Sequence, residues 1–252
     1  MEIIEAAPKF ASRPDGIKLA YRHLEGRSPT LVFLPGYMSD MQGGKAQALE
    51  KWARASGTAM LRLDYSGCGE SEGAFVDGTL DIWRDDVLTV IQHAGIGPCI
   101  LVGSSMGGWL MVLVAEALGA HVRALVGVAA APDFTDWDVD ADDRVALVAH
   151  GRIERPSDYG YNPMIITRAF WQSGQDNLRL TDAVSVDCPV RLIHGQNDPD
   201  VPWDISLRLA AALRSADVQT ILVKDGDHRL SRDQDIALLI DVVSILAGQA
   251  GA

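Results

Sequence analysis

The feature that most constrains this chain is a rhythm. Short continuous apolar runs alternate with amphipathic stretches of helical period along most of its length. The apolar runs are TLVFLPG (30–36), TAMLRLDYSG (58–67), CILVGSS (99–105), VRALVGVAAAP (122–132), PVRLIHGQND (189–198) and VQTILVKDGD (218–227). Strands that read as unbroken apolar runs are buried on both faces, as happens when helices cover both sides of a mostly parallel sheet. The intervening helices are expected over Lys45–Ser56, Leu80–His93 (capped by Thr79 or Asp81), Met106–Leu118, about Asp204–Leu213 and Arg232–Ala247. GIKLAYRHLE (16–25) alternates and suits an early antiparallel strand. The fold class is therefore α/β.

The rhythm breaks from Asp133 to Asp187. That stretch shows no clear buried strand and is rich in Asp, Arg and aromatic residues. It is too long for a structureless loop inside a compact domain, so it reads as a helical cap inserted over one edge of the sheet. The expected organisation is one core domain from residues 1–132 and 188–252, with a cap from 133–187. No internal repeat or low-complexity tract is present.

Charge narrows the function classes. The net charge of the 252 residues is −12, and no run is rich in Lys or Arg. A nucleic-acid partner needs a basic face, so none is expected. No apolar stretch approaches bilayer length, so no membrane span is expected. The opening MEIIEAAPKF has neither the basic nor the apolar region of a secretory signal, and a cytoplasmic location is expected. The three cysteines, Cys68, Cys99 and Cys188, are widely spaced and form no metal-like pattern. Reduced thiols fit best, with Cys99 and Cys188 as packing residues and Cys68 more exposed in a glycine-rich loop.

Chemistry enters at the strand ends. The run ILVGSSMGGWL contains G-x-S-x-G as Gly103, Ser105 and Gly107, at the junction of a buried strand and a helix. That is the context in which such a serine becomes a nucleophile. A serine nucleophile needs a base, a group to orient the base, and donors for the oxyanion. Parallel sheets place reactive groups at the carboxyl ends of their strands. There the chain offers Asp198 or Asp200 after VRLIHG and His228 after TILVKDG, in the order Ser, Asp, His. Ser104 reads as packing or a helix cap, and His194, which also ends a strand, as structural. His23, His93, His121 and His150 lack strand-end placement.

With these motifs the chain resembles the α/β-hydrolases over essentially its whole length. LDYSGCGES fits the D-x-x-G-x-G-x-S loop of that family, and HGQNDPDVP fits its H-G-x-x-D-x-x-V-P, which assigns the acid to Asp198. FLPGYMSDMQGGKA, WRDDVL, LVGSSMGGWLM, RLIHGQNDPDVPW and DGDHRLS together resemble the branch of mammalian mitochondrial acyl-glucuronide esterases and protein depalmitoylases. No stretch looks like a transit peptide, so a bacterial relative is expected. The resemblance implies a Ser105–His228–Asp198 triad acting on a small-molecule ester or thioester, with no metal and no organic cofactor. It also implies oxyanion donors at the backbone N–H groups of Met106 and Tyr37, although Pro35-Gly36 stands where many relatives carry His-Gly. The oligomeric state is not implied.

Most of the remaining candidates carry two readings. Trp109 reads as core. Trp203 and Tyr37 read either as loop residues or as pocket lining. Trp137, Tyr159, Tyr161, Phe170 and Trp171 either pack the cap or line an acyl site. Arg152 and Arg155 either face solvent beside acidic cap residues or grip a substrate carboxylate. Two other functions are compatible with the same residues: an acyltransferase, in which an alcohol replaces water, and a ligand receptor without catalysis. A serine at the elbow disfavours a dehalogenase, and nothing in the sequence points positively to a peptidase.

Overall fold

The computed structural model describes residues 7–156 and 163–250. The chain runs β1 (Lys9–Ser12), β2 (Lys18–Leu24), β3 (Arg27–Leu34), α1 (Gly44–Ser56), β4 (Thr58–Leu63), α2 (Leu80–His93), β5 (Cys99–Ser104), α3 (Met106–Leu118) and β6 (Val122–Val128). It then passes through α4 (Phe134–Trp137), α5 (Ala141–His150), β7 (Arg152–Arg155), β8 (Met164–Thr167) and α6 (Arg168–Asp176). It closes with β9 (Val190–Gly195), α7 (Asp204–Ala212), β10 (Val218–Val223) and α8 (Asp233–Ala250).

Eight strands form one sheet in the order β1-β2-β4-β3-β5-β6-β9-β10. The pairs β1–β2 and β2–β4 are antiparallel, and the five pairs from β4–β3 to β9–β10 are parallel. Side chains alternate across a strand. Each apolar run is therefore divided between two cores. Val32 and Leu34 of β3, Leu101 of β5 and Leu125 of β6 pack with α2 and α3 on one face. Leu31 and Phe33, Ile100 and Val102, and Ala124 and Val126 pack with α1 and α8 on the other. This is the α/β-hydrolase architecture expected from the sequence. The Thr79 side chain caps α2 by accepting from the Ile82 N–H at 3.2 Å. Among the described residues, no helix is long and apolar enough to cross a membrane.

The stretch between β6 and β9 departs from the expectation of a purely helical cap. Among the described residues it holds three helices and an antiparallel hairpin, in which Arg152 pairs with Thr167 and Arg155 with Met164. Its apolar side chains, including Phe134, Leu147, Ile153, Ile166 and Phe170, join the same core as α2 and α3. Cys68 also differs from expectation. It is buried, and burial pushes its thiol up to about 12. The glycine loop that carries it folds inward, with the Cys68 N–H donating to the Tyr65 carbonyl at 3.0 Å.

Candidate active site

Ser105 sits between β5 and α3 at φ 55°, ψ −122°, outside the regions where L-residues rest comfortably. Its backbone is pinned from three sides. Its N–H donates to the Val128 carbonyl at 2.9 Å, and its carbonyl accepts from Gly108 at 2.8 Å and Ala131 at 3.0 Å. The flanking glycines are required by close approach. A Cβ at Gly107 would lie 2.1 Å from the Leu34 carbonyl oxygen, and one at Gly103 would lie 2.3 Å from the Gly107 carbonyl oxygen. Strand, turn and helix thus meet with no room for side chains, and the serine is turned outward at the strand end.

The partners arrive on two neighbouring loops. After β9 the Gln196 N–H donates to the Val223 carbonyl and the Asn197 N–H to the Gly226 carbonyl, each at 2.9 Å. These bonds lock the loop carrying Asp198 against the loop carrying His228. The His228 loop is further held by Asp227, which accepts from the Leu230 N–H, and by Lys45 of α1, whose ammonium donates to the Arg229 carbonyl. His228 Nε2 lies 3.1 Å from Ser105 Oγ, and His228 Nδ1 lies 2.8 Å from Asp198 Oδ2. The three residues singled out by strand-end position are therefore brought together in a continuous hydrogen-bonded chain.

The Asp198 side chain is fully buried and heavily solvated by the protein. Its Oδ1 accepts from the Asp200 and Val201 N–H groups at 2.9 and 2.8 Å. Its Oδ2 faces His228 and also His194 Nε2, at 3.2 Å. Burial alone would push this carboxyl up. The hydrogen bonds from His194, His228 and Val201, with the His228 charge, outweigh burial and hold it well below the usual carboxylate range. Asp200 supplies a backbone donor rather than the bridging carboxylate. The sequence singled out His194 only as a structural residue of a turn. Its position four residues before Asp198 was the available signal for this contact.

Met106 opens α3, where first-turn N–H groups have no partner within the helix. Tyr37 follows Gly36, whose α-carbon faces the Ser105 turn closely enough that a Cβ there would lie 3.3 Å from Ser105 Cβ. Both backbone donors inferred for an oxyanion thus belong to segments that border Ser105. The Tyr37 side chain points away into an aromatic cluster, with ring centroids 4.8 Å from Phe170, 5.1 Å from Phe75 and 5.7 Å from Phe134. Its hydroxyl donates to the Ile165 carbonyl of β8 at 2.6 Å, and burial pushes its phenol above the ordinary tyrosine range.

The candidate substrate contacts fare unequally. Trp203 is exposed at the start of α7, in the loop that follows Asp198. Arg152 is exposed and pairs with Glu154. Arg155 departs from a carboxylate grip: its guanidinium is engaged by Asp138 at 2.6 Å and by Asp143, inside the insertion. Tyr159 and Tyr161 lie outside the described residues. Trp109 is buried as expected and donates to the Asn177 carbonyl at 3.0 Å. Among the described residues, Asp198, Asp200 and His228 bring ligand-type atoms within 4.8 Å of one another, a spacing open to a metal ion. Asp198 already accepts four hydrogen bonds there, which leaves its lone pairs committed.

The likeness to known proteins follows the same geometry. A family model described as the alpha/beta hydrolase fold matches residues 29–152. A model of the prolyl oligopeptidase family matches residues 92–241, a span that includes Ser105, Asp198 and His228. The chain is 42% identical over 246 residues to the mitochondrial palmitoyl-protein thioesterase ABHD10 of Pongo abelii, covering 94% of this chain and 79% of that one. It superposes on the alpha/beta hydrolase domain-containing protein 10 from mouse with a TM-score of 0.90 at 39% identity, covering 97% of this chain and 99% of the other. A putative hydrolase from Agrobacterium vitis S4 gives a TM-score of 0.91 at 36% identity, covering 98% of this chain and all of the other. With that likeness covering at least 94% of this chain, the chain belongs to the α/β-hydrolase family and is a hydrolase of its esterase and thioesterase kind.

Proposed function

We propose that this protein cleaves carboxylic esters or thioesters through an acyl-enzyme on Ser105. The observation that carries the reading is the hydrogen-bonded line from Ser105 Oγ through His228 to Asp198, at 3.1 and 2.8 Å. His228 Nε2 takes the proton as Oγ attacks the carbonyl carbon. The Nδ1–H of His228 keeps donating to Asp198, which fixes the tautomer and stabilises the imidazolium. The tetrahedral oxygen is received by the Met106 and Tyr37 N–H groups, supported by the amino end of α3. The imidazolium returns its proton to the leaving oxygen or sulfur, and a water activated by His228 then frees the acid. None of these steps calls for a metal or an organic cofactor.

Long-chain S-acyl groups and acyl glucuronides are the substrate classes we put first. The support for S-acyl groups is the relation to a palmitoyl-protein thioesterase. The support for both is the set of matching sequence stretches around the elbow and the acid loop.

The test is intact-mass measurement after incubation with a fluorophosphonate, on wild type and Ser105→Ala. One adduct on wild type and none on the variant is expected. Ser105→Ala should also lower turnover of 4-nitrophenyl acetate by at least about 10³-fold. An unlabelled wild type sinks the serine mechanism. A panel of palmitoyl thioesters, acyl glucuronides and a peptidyl anilide then separates the substrate classes. The anilide is included because of the match to the prolyl oligopeptidase family.

A further inference from the structure

A second imidazole rests on the same carboxylate oxygen as His228. His194 is completely buried at the end of β9. Its Nε2 lies 3.2 Å from Asp198 Oδ2 and 3.1 Å from the Val201 carbonyl oxygen. A carboxylate and a carbonyl can only accept, so Nε2 must carry the proton. Its Nδ1 lies 2.7 Å from the hydroxyl of Ser206, a buried residue on α7. With Nε2 carrying the proton of a neutral ring, that hydroxyl is the group that can donate to Nδ1. The pair fixes one tautomer, with both nitrogens satisfied and the donor aimed at the acid.

Building on the serine mechanism above, we propose that His194 is a positioning residue for that reaction, which sets both the direction and the basicity of Asp198. Two donors on Oδ2 and two backbone donors on Oδ1 fill the four acceptor positions of the carboxylate. The carboxylate then has one orientation, with Oδ2 on His228. The His194 bond also draws charge from Oδ2 and so weakens its pull on the imidazolium of His228. Without that bond Asp198 pairs more strongly with protonated His228, and the acid limb of the rate moves to higher pH.

The neighbouring charges are few and nameable. On the β9–α7 loop they are Asp198 and Asp200. On the β10–α8 loop they are Lys224, Asp225, Asp227, His228, Arg229 and Arg232, the last paired with Asp225 and with Asp235 of α8. Lys45 of α1 reaches the latter loop and interacts with Asp227 and, on α8, with Asp235. None of these groups is altered by changing His194 or Ser206, so a moved pH profile reports on the shared carboxylate.

The experiment measures kcat, KM and their ratio for 4-nitrophenyl acetate, and the rate of fluorophosphonate labelling, from pH 5 to 9. His194→Phe keeps a ring and removes the donor. It should lower kcat about tenfold with KM unchanged. It should also move the acid limb upward by roughly half a pH unit. His194→Gln carries an amide N–H that can reach the same oxygens, and it should return both values toward wild type. Ser206→Ala releases the tautomer and should move the limb in the same direction by less. If His194→Phe does not fold, Ser206→Ala and His194→Gln decide between them. A wild-type limb in Ser206→Ala overturns the proposal, and an upward shift that His194→Gln lacks supports it. A labelled wild type whose acid limb does not move in a folded His194→Phe overturns the role of His194 alone. An unlabelled wild type removes the serine mechanism and this role with it.

Discussion

The turn around Ser105 is fixed by main chain against main chain. Three backbone hydrogen bonds hold its peptide groups, and Gly103 and Gly107 let β3, β5 and α3 touch without intervening side chains. The insertion between β6 and β9 lies over the same sheet but is tied down by side chains. Asp133 accepts from the Arg179 and Leu180 N–H groups, and Arg179 pairs with Glu116 of α3. Asp81 of α2 receives Ser173 and Asn177 of α6 and its loop. Phe170 wedges between Tyr37, Trp83 and Phe134. Backbone contacts of the first kind admit almost no substitution, whereas side-chain contacts of the second kind can be rebuilt from other residues. The machinery can thus stay constant while the surface above it changes.

That contrast breaks if a glycine at the elbow tolerates a methyl group. Gly107→Ala forces a Cβ onto the Leu34 and Pro35 carbonyl oxygens, 2.1 and 2.5 Å away, both backbone and neither free to swing aside. We expect a loss above about 4 kcal/mol, which places it among the exceptional single substitutions. The readout is the soluble yield and the thermal midpoint, and a midpoint within a few degrees of wild type would contradict the close-approach account. Phe170→Ala comes next. The ring is buried and leaves a cavity among aromatic neighbours, for a cost of about 3 kcal/mol, measured by chemical unfolding. Because Phe170 packs on the Tyr37 ring, kcat should fall as well, while Ser105 remains open to fluorophosphonate. Unchanged kcat would show that the insertion does not steady the loop bearing the Tyr37 N–H.

The same contrast explains what was legible in the sequence. β3–β6 and β9 were readable because an apolar run buried on both faces has few other interpretations, and β10 because its run is apolar although it forms the half-buried edge of the sheet. α2 was readable from Leu80 to His93 because its cap, Thr79, is a local signal. Ser105, His228 and Asp198 were readable by combining residue type, order and strand end, with the choice of Asp198 over Asp200 resting on the family pattern. The hairpin of β7 and β8 was not, because four-residue strands with charged or half-buried positions show no firm period. β1 escaped for the same reason. Cys68 looked exposed because a glycine-rich loop reads as surface, yet Tyr65 and Trp83 stack beside it and the loop turns under them. His194 was visible as a strand-end residue. Its hydrogen bond to Asp198 arises only when β9 and its loop curl back, which residue types alone do not dictate.

The finest test of the contrast lies within one four-residue strand. Arg152 and Arg155 open and close β7, and both were candidates for gripping a substrate carboxylate. Arg155 is three-quarters buried and joins Asp138 and Asp143. Removing it leaves two partly buried carboxylates facing each other without a cation. Arg155→Ala should therefore cost about 1–2 kcal/mol, or roughly 2–8 °C in thermal midpoint for a domain of this size. Among the described residues Arg152 pairs with Glu154, and both are well exposed. Exposed pairs contribute little after side-chain entropy and salt screening, so Arg152→Ala should stay within about 0.5 kcal/mol. Differential scanning calorimetry at low and high salt reads both variants. Equal midpoints for the two would mean that the insertion is not held by its internal ion pairs. A KM rise confined to acidic acyl glucuronides in Arg152→Ala, with the midpoint unmoved, would instead return Arg152 to the substrate side.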